Sequence, residues 1–177
     1  MILRRTSCRS RLFLAASLVL ALLGPYQVFA ADNSPQVTLN ASKTGPRTVE
    51  ALTQRAVIRD YKFAWQNLDS AFAASSATPL NSLFAGTANS SFKSALDGQH
   101  RSGISSRYLN QNHKLDAVFY SPEGDMIELH DTAEYDFQIR DGGKTIHNEH
   151  AIVHYVVLMT PGADRWVIRQ LEAVPEF

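Results

Sequence analysis

The stretch MIELHDTAEYDFQIRDGGKTIHNEHAIVHYVVLMT, from Met126 to Thr160, decides the fold. Ile127, Leu129, Ala133, Tyr135, Phe137 and Ile139 recur at intervals of two or four, and a period of two is the mark of a strand with one buried face. After Asp141-Gly-Gly-Lys144 the alternation resumes from Thr145 to Thr160. So short a connection cannot carry a parallel crossover, so the two runs form an antiparallel hairpin.

Working outward, Leu115 to Tyr120 and Arg165 to Val174 are two further strands of the same kind. They are set off by Ser121-Pro-Glu-Gly-Asp125 and Pro161-Gly-Ala-Asp164, which are turn sequences. Upstream the period changes. Val57, Tyr61, Ala64, Trp65, Leu68 and Phe72 recur at three and four residues, with Arg55, Arg59, Lys62, Gln66 and Asp69 between them. This is an amphipathic helix with Thr48 as its N-cap. Ala73 to Pro79 breaks it, Leu80, Leu83 and Phe84 form a short apolar turn, and a second helix runs from about Asn89 to Arg101. Helices first and a meander afterwards predict an α+β domain over residues 48–177, with the helices on one face of a curved four-stranded antiparallel sheet.

The N-terminus predicts export. Arg4, Arg5, Arg9 and Arg11 precede an apolar run from Leu12 to Leu23, and Val28-Phe29-Ala30 supplies the small residues of a cleavage site, so residues 1–30 are read as a signal peptide removed after Ala30. The run is too short to span a bilayer. Residues 31–47, polar and carrying two prolines, are expected to be a flexible tether. The destination is the periplasm or the exterior. Cys8, the one cysteine, leaves with the leader, so disulfides and thiol chemistry are excluded from the product. The leader also holds four of the 17 basic residues and none of the 17 acidic ones, which leaves the remainder acidic and disfavours nucleic acid as a partner.

Closing the central hairpin symmetrically sets Arg140 against Thr145, Tyr135 against His150 and Asp131 against His154. The polar residues Asp131, Asn148, His150 and His154 then interrupt an apolar face. Burying a carboxylate or an imidazole unpaired is costly, so Asp131 and His154 are expected to satisfy each other. Such a pair is either a hydrogen-bonded part of the core or an acid and base for catalysis. Tyr61 and Trp65 of the first helix, with Tyr108, Tyr135 and His150, are the candidates to line a ligand cavity, the alternative being plain core. Tyr155, Val157 and Met159, with Trp166 and Ile168, form a second apolar set on the opposite face in this register, so that face is expected to be covered, a homodimer being one way. His147, His150 and His154 do not make a metal site: the last two stand about 13 Å apart along one strand. No phosphate-binding glycine loop, nucleophile elbow or helical zinc motif occurs, and no cofactor is implied.

This order of elements, a long amphipathic helix (VIRDYKFAWQNLDSAF), a second helical stretch ending near Leu96 and a meander closing on Trp166-Val-Ile-Arg169, resembles the nuclear transport factor two-like superfamily. That cone-shaped α+β fold is shared by ketosteroid isomerase, scytalone dehydratase, polyketide cyclases and many non-catalytic domains. Leu83-Phe84-Ala-Gly86 and Gln99-His-Arg-Ser-Gly103 look closest to the non-enzymatic branches. The resemblance implies a binding or scaffold domain for a hydrophobic small molecule or a protein partner. Its enzymatic branches imply the alternative, a small cofactor-independent isomerase, dehydratase or cyclase, for which Asp131, His154, Tyr61 and Tyr108 are the available acid, base and phenol groups. No spacing transfers a catalytic motif residue by residue.

Overall fold

A computed structural model describes residues 33–177. The expected signal peptide, its expected cleavage after Ala30, and Cys8 lie outside the described residues. The expected α+β class holds: the described residues form two α-helices and a six-stranded mixed sheet, where four antiparallel strands were expected.

Helix α1, Ala51–Ala74, buries the predicted stripe of Val57, Tyr61, Ala64, Trp65, Leu68 and Phe72. Its N-cap is Glu50 rather than Thr48. It ends at Ser75, in the left-handed region with φ 49°, and Ser76 N–H donates to Ala71 O at 2.9 Å, which satisfies a terminal carbonyl. A 3-10 turn over Thr78–Leu80 follows, then helix α2, Gly86–Arg101. Helix α2 starts three residues before the expected Asn89. Reciprocal bonds from Ala85 N–H to Ile168 O and from Ile168 N–H to Leu83 O, both 2.9 Å, tie its entry to the last strand. Gly86 has φ 54°, and a Cβ there would stand 3.0 Å from Arg169 O, so glycine suits both the conformation and the close approach.

Two strands lie where a tether was expected. Strand β1, Gln36–Asn40, and strand β2, Gly45–Pro46, both pair in parallel with β3, Ile104–Tyr120. Side chains pin the segment. Asn40 donates to Asp116 at 2.7 Å, and Thr44 Oγ1 donates to Ala117 O at 2.9 Å. Polar composition suggested disorder; pairing with the edge of β3 supplies the order that composition alone could not.

Strand β3 is followed by β4, Ile127–Asp141, β5, Lys144–Pro161, and β6, Trp166–Val174, giving the order β1-β3-β4-β5-β6 with β2 also on β3. Strand β3 extends well upstream of the expected Leu115. Its first part is hidden from a period-of-two reading by a bulge between Leu109 and Asn112, where Asn110 has φ 53°.

The decisive correction is the register of β4 with β5. Gly142 and Gly143, at φ 52° and 85°, make a two-residue turn, and Arg140 faces Thr145 as expected. A bulge then inserts Ile146, so Ile139 faces His147, Tyr135 faces Ala151 and Asp131 faces Tyr155. One extra residue reverses the two faces of everything beyond it. Val157, Met159 and Ile168, expected at an interface, are 0 % exposed core residues, and Trp166 and Tyr155 pack with them. His154 and His150 move to the opposite face of the sheet from Asp131.

Candidate functional site

Between α1 and the sheet lies a polar cluster sealed in aromatic side chains. Asp131 on β4, His113 on β3 and Tyr61 on α1 are each 0 % exposed. Asp131 Oδ2 accepts from the Tyr61 hydroxyl at 2.7 Å and lies 2.7 Å from His113 Nδ1. A carboxylate oxygen at this distance can only accept, which assigns an imidazole proton to Nδ1 as the donor. Asp131 Oδ1 and His113 Nε2 have no hydrogen-bond partner among the described residues. Desolvation, reinforced by the Asp131 charge, pushes the Tyr61 phenol well above the usual range, so it stays a protonated donor.

The partner of Asp131 is therefore His113, not His154. His154 Nδ1 lies 3.3 Å from Thr132 Oγ1 on the outer face, and its ring meets Phe177 edge-on with centroids 5.0 Å apart. Phe177 also stacks on His130, at 4.2 Å and 13°. Sequence reasoning missed His113 because it falls in the strand whose start was misplaced. The signal was present: His113, Leu115 and Ala117 alternate with Lys114 and Asp116, which puts the imidazole on the apolar face.

Trp65 forms the lid of the cluster. Its ring lies 4.4 Å from that of His113, and 5.9, 5.9 and 5.8 Å from those of Tyr108, Tyr135 and Tyr155. The Tyr135 and Tyr155 hydroxyls are 2.9 Å apart, and Tyr108 packs on Tyr135 at 5.3 Å. Burial raises the pKa of all three phenols. Four of the five side chains expected to line a ligand cavity, Tyr61, Trp65, Tyr108 and Tyr135, thus come together but fill the space themselves. The fifth does not join them. His150 lies on the outer face, with Nδ1 3.0 Å from Asp136 and Nε2 3.3 Å from Glu134, and the Asp136 hydrogen bond raises its pKa.

Two further carboxylates of α1 fix this arrangement, and neither stood out in the sequence. Asp69, expected on the solvent face, accepts Tyr108 N–H at 2.8 Å and Arg107 at 3.0 Å. Asp60 accepts Trp166 N–H at 2.8 Å and binds Arg59 at 2.7 Å. Spaced nine residues apart, they tie α1 to β3 and β6 on either side of Tyr61 and Trp65. A surface pocket of about 480 Å³ lies beside Asp60, lined by Arg59, Lys62, Phe63, Gln66, Asp164 and Arg165, and does not include the buried cluster. Among the described residues no group of three His, Cys, Asp or Glu side chains is placed to hold a metal ion, and no helix is long and apolar enough to cross a membrane.

No family model matches the chain, and no curated protein matches it. Its fold is similar to that of the intermembrane space region of chloroplast protein ARC6 in a crystal structure, with a TM-score of 0.60 and 15 % identity over 73 % of this chain and 98 % of that one. At that identity the likeness is one of fold.

Proposed function

We propose that the chain is an exported, non-catalytic domain of the nuclear transport factor two-like kind that acts by binding a protein partner at its surface. The observation that carries this reading is the packing of Trp65 onto His113 beneath the tyrosines. The space in which a ligand of this fold class would react is occupied by the protein's own side chains. Asp131, His113 and Tyr61 then form a hydrogen-bonded core network that positions α1 on the sheet. Of the two ligand classes the sequence left open, a filled interior favours the protein over the hydrophobic small molecule.

The test is a titration of the wild-type protein and of Trp65→Ala with a panel of small apolar ketones and phenols, followed by thermal shift and by NMR of the Tyr61 and His113 resonances. The wild type is expected to remain unchanged while the variant, now holding a cavity, binds. Saturable binding to the wild type beside Asp131 would refute the reading.

A second reading rests on a separate observation: Asp131 Oδ1 and His113 Nε2 lack partners in the same buried cluster. In this reading helix α1 opens, and the pair acts as base and acid on a small carbonyl compound with Tyr61 as a hydrogen-bond donor. The pair is Asp131 with His113, in place of Asp131 with His154. Protein-catalysed deuterium exchange at the α-carbon of a small ketone would support it; a rate unchanged by Asp131→Asn would end it.

A further inference from the structure

Strand β5 is paired on both sides only from His154 onward. Strand β6 ends with Val174 opposite His154, and Pro175, which has no N–H to donate, turns the chain away toward the outer face, where Phe177 lies on His130. On the other side of the free stretch, the Ile146 bulge interrupts the pairing with β4. Between these limits, His147 to Val153 pair with β4 on one side and, among the described residues, with no strand on the other. Native edges of this length are usually guarded by charged side chains, lysine above all, by proline or by bulges; His147-Asn-Glu-His-Ala-Ile-Val153 holds no lysine or proline, Glu149 is its one carboxylate, and the bulge lies outside it. The two most exposed large apolar side chains of the sheet, Ile146 at 58 % and Ile152 at 63 %, belong to this edge or border it.

We infer that this edge pairs with the same edge of a second copy of the chain, antiparallel, about a two-fold axis through His150. Symmetry limits the choices. A two-fold axis perpendicular to the sheet keeps each side chain on its own face, so it must pass through a residue that faces itself. Centring on His150 pairs the whole run from His147 to Val153 without crossing the bulge or meeting Val174. Asn148 then faces Ile152 of the second copy on the outer side, while Glu149 faces Ala151 and His147 faces Val153 on the inner side. Moving the centre to Glu149 shortens the regular run and sets two carboxylates face to face, and cross-strand like charges are unfavourable. Moving it to Ala151 shortens the run as well. At the axis each His150 sits between its own Glu134 and Asp136, so the two imidazoles are flanked by four carboxylates. The place opposite His154 is held by Val174, and in this register the second copy reaches it at its own Ile146 bulge, where its strand bends away.

This dimer joins edge to edge, unlike the face-to-face packing expected from the sequence, and it does not depend on how the interior is filled. Its test uses the full chain of 177 residues carrying Cys8→Ser, so that an engineered thiol is the only one present whether or not the leader has been removed. Sedimentation equilibrium should give a concentration-dependent dimer, with Ile152→Lys weakening association at least tenfold while the melting temperature measured at concentrations where both proteins are monomeric is unchanged. Under mild oxidation His150→Cys should cross-link two copies, because its thiols face each other across the axis, while Asn148→Cys should not. A monomer at every concentration, a dimer indifferent to Ile152→Lys, or cross-linking that favours position 148 would each overturn the inference. A monomer whose edge amides become protected only when an unrelated protein is added would overturn it too.

Discussion

Asp131 and His113 are diagonal neighbours on adjacent strands, Asp131 opposite Leu115 and His113 opposite Ala133, with Oδ2 and Nδ1 2.7 Å apart and no solvent exposure on either side chain. A buried pair of this kind is strong in one sense only: removing one member strands the other. Asp131→Ala leaves the His113 N–H and the Tyr61 hydroxyl without an acceptor and should cost about 3–5 kcal/mol. Asp131→Asn keeps a carbonyl oxygen in place and should cost distinctly less. Urea denaturation of the two variants and of Tyr61→Phe tests the ordering, and equal losses for Ala and Asn would count against a shared acceptor.

The buried phenols make the protein sensitive to alkali. Burial raises the pKa of Tyr61, Tyr108, Tyr135 and Tyr155, so each keeps its proton in the folded state after the unfolded chain has lost it. The unfolded state then binds fewer protons, and stability falls as pH rises beyond the ordinary tyrosine value near 10. Phenolate absorbance from these residues should appear together with the loss of tertiary circular dichroism. Smooth titration of all tyrosines with the fold intact would contradict the packing.

On the outer face, His150 has a raised pKa chiefly through its hydrogen bond to Asp136, and Asp136 has a lowered one through Asn110 and His150. The His150 contribution is therefore complete below the unfolded histidine value and fades as pH rises through the folded one. That of Asp136 is present above the unfolded carboxylate value and fades as pH falls through the folded one. In an NMR titration His150 should lose its proton later than a free histidine, and Asp136→Asn should move its midpoint back down. A midpoint indifferent to that change would exclude the contact.

Helix α1 should loosen when its strand-binding carboxylates are removed. Asp69→Ala leaves the Tyr108 N–H and Arg107 without their acceptor, for a loss of about 1.5–3 kcal/mol. Faster hydrogen exchange at Tyr108 N–H, with little change at the far end of β4, is the accompanying sign. Uniform acceleration throughout would point to a general loss of stability instead.

How far these features could be read in advance depended on where backbone irregularity fell. The Val57 to Phe72 stripe and the four hydrophobic runs were legible because burial imposes its period on sequence directly. Asp131 was legible as a polar residue on an apolar face. That His154 would not be its partner was not, because the Ile146 bulge has no sequence mark beyond an isoleucine near a turn, yet it exchanges Tyr155 for His154 on the inner face. Strands β1 and β2 were hidden for another reason. They are short and polar, and are ordered by pairing with β3 and by contacts such as Asn40 with Asp116, which no local pattern announces.

The filled interior is tested most directly by crystals of the wild type and of Trp65→Ala pressurised with xenon. Xenon enters apolar voids that are already present. No xenon is expected between α1 and the sheet in the wild type, and an occupied site is expected in Trp65→Ala, which should also be about 3–5 kcal/mol less stable. Xenon bound beside His113 and Asp131 in the wild type would contradict the filled interior and would return the cluster to the status of a reachable site.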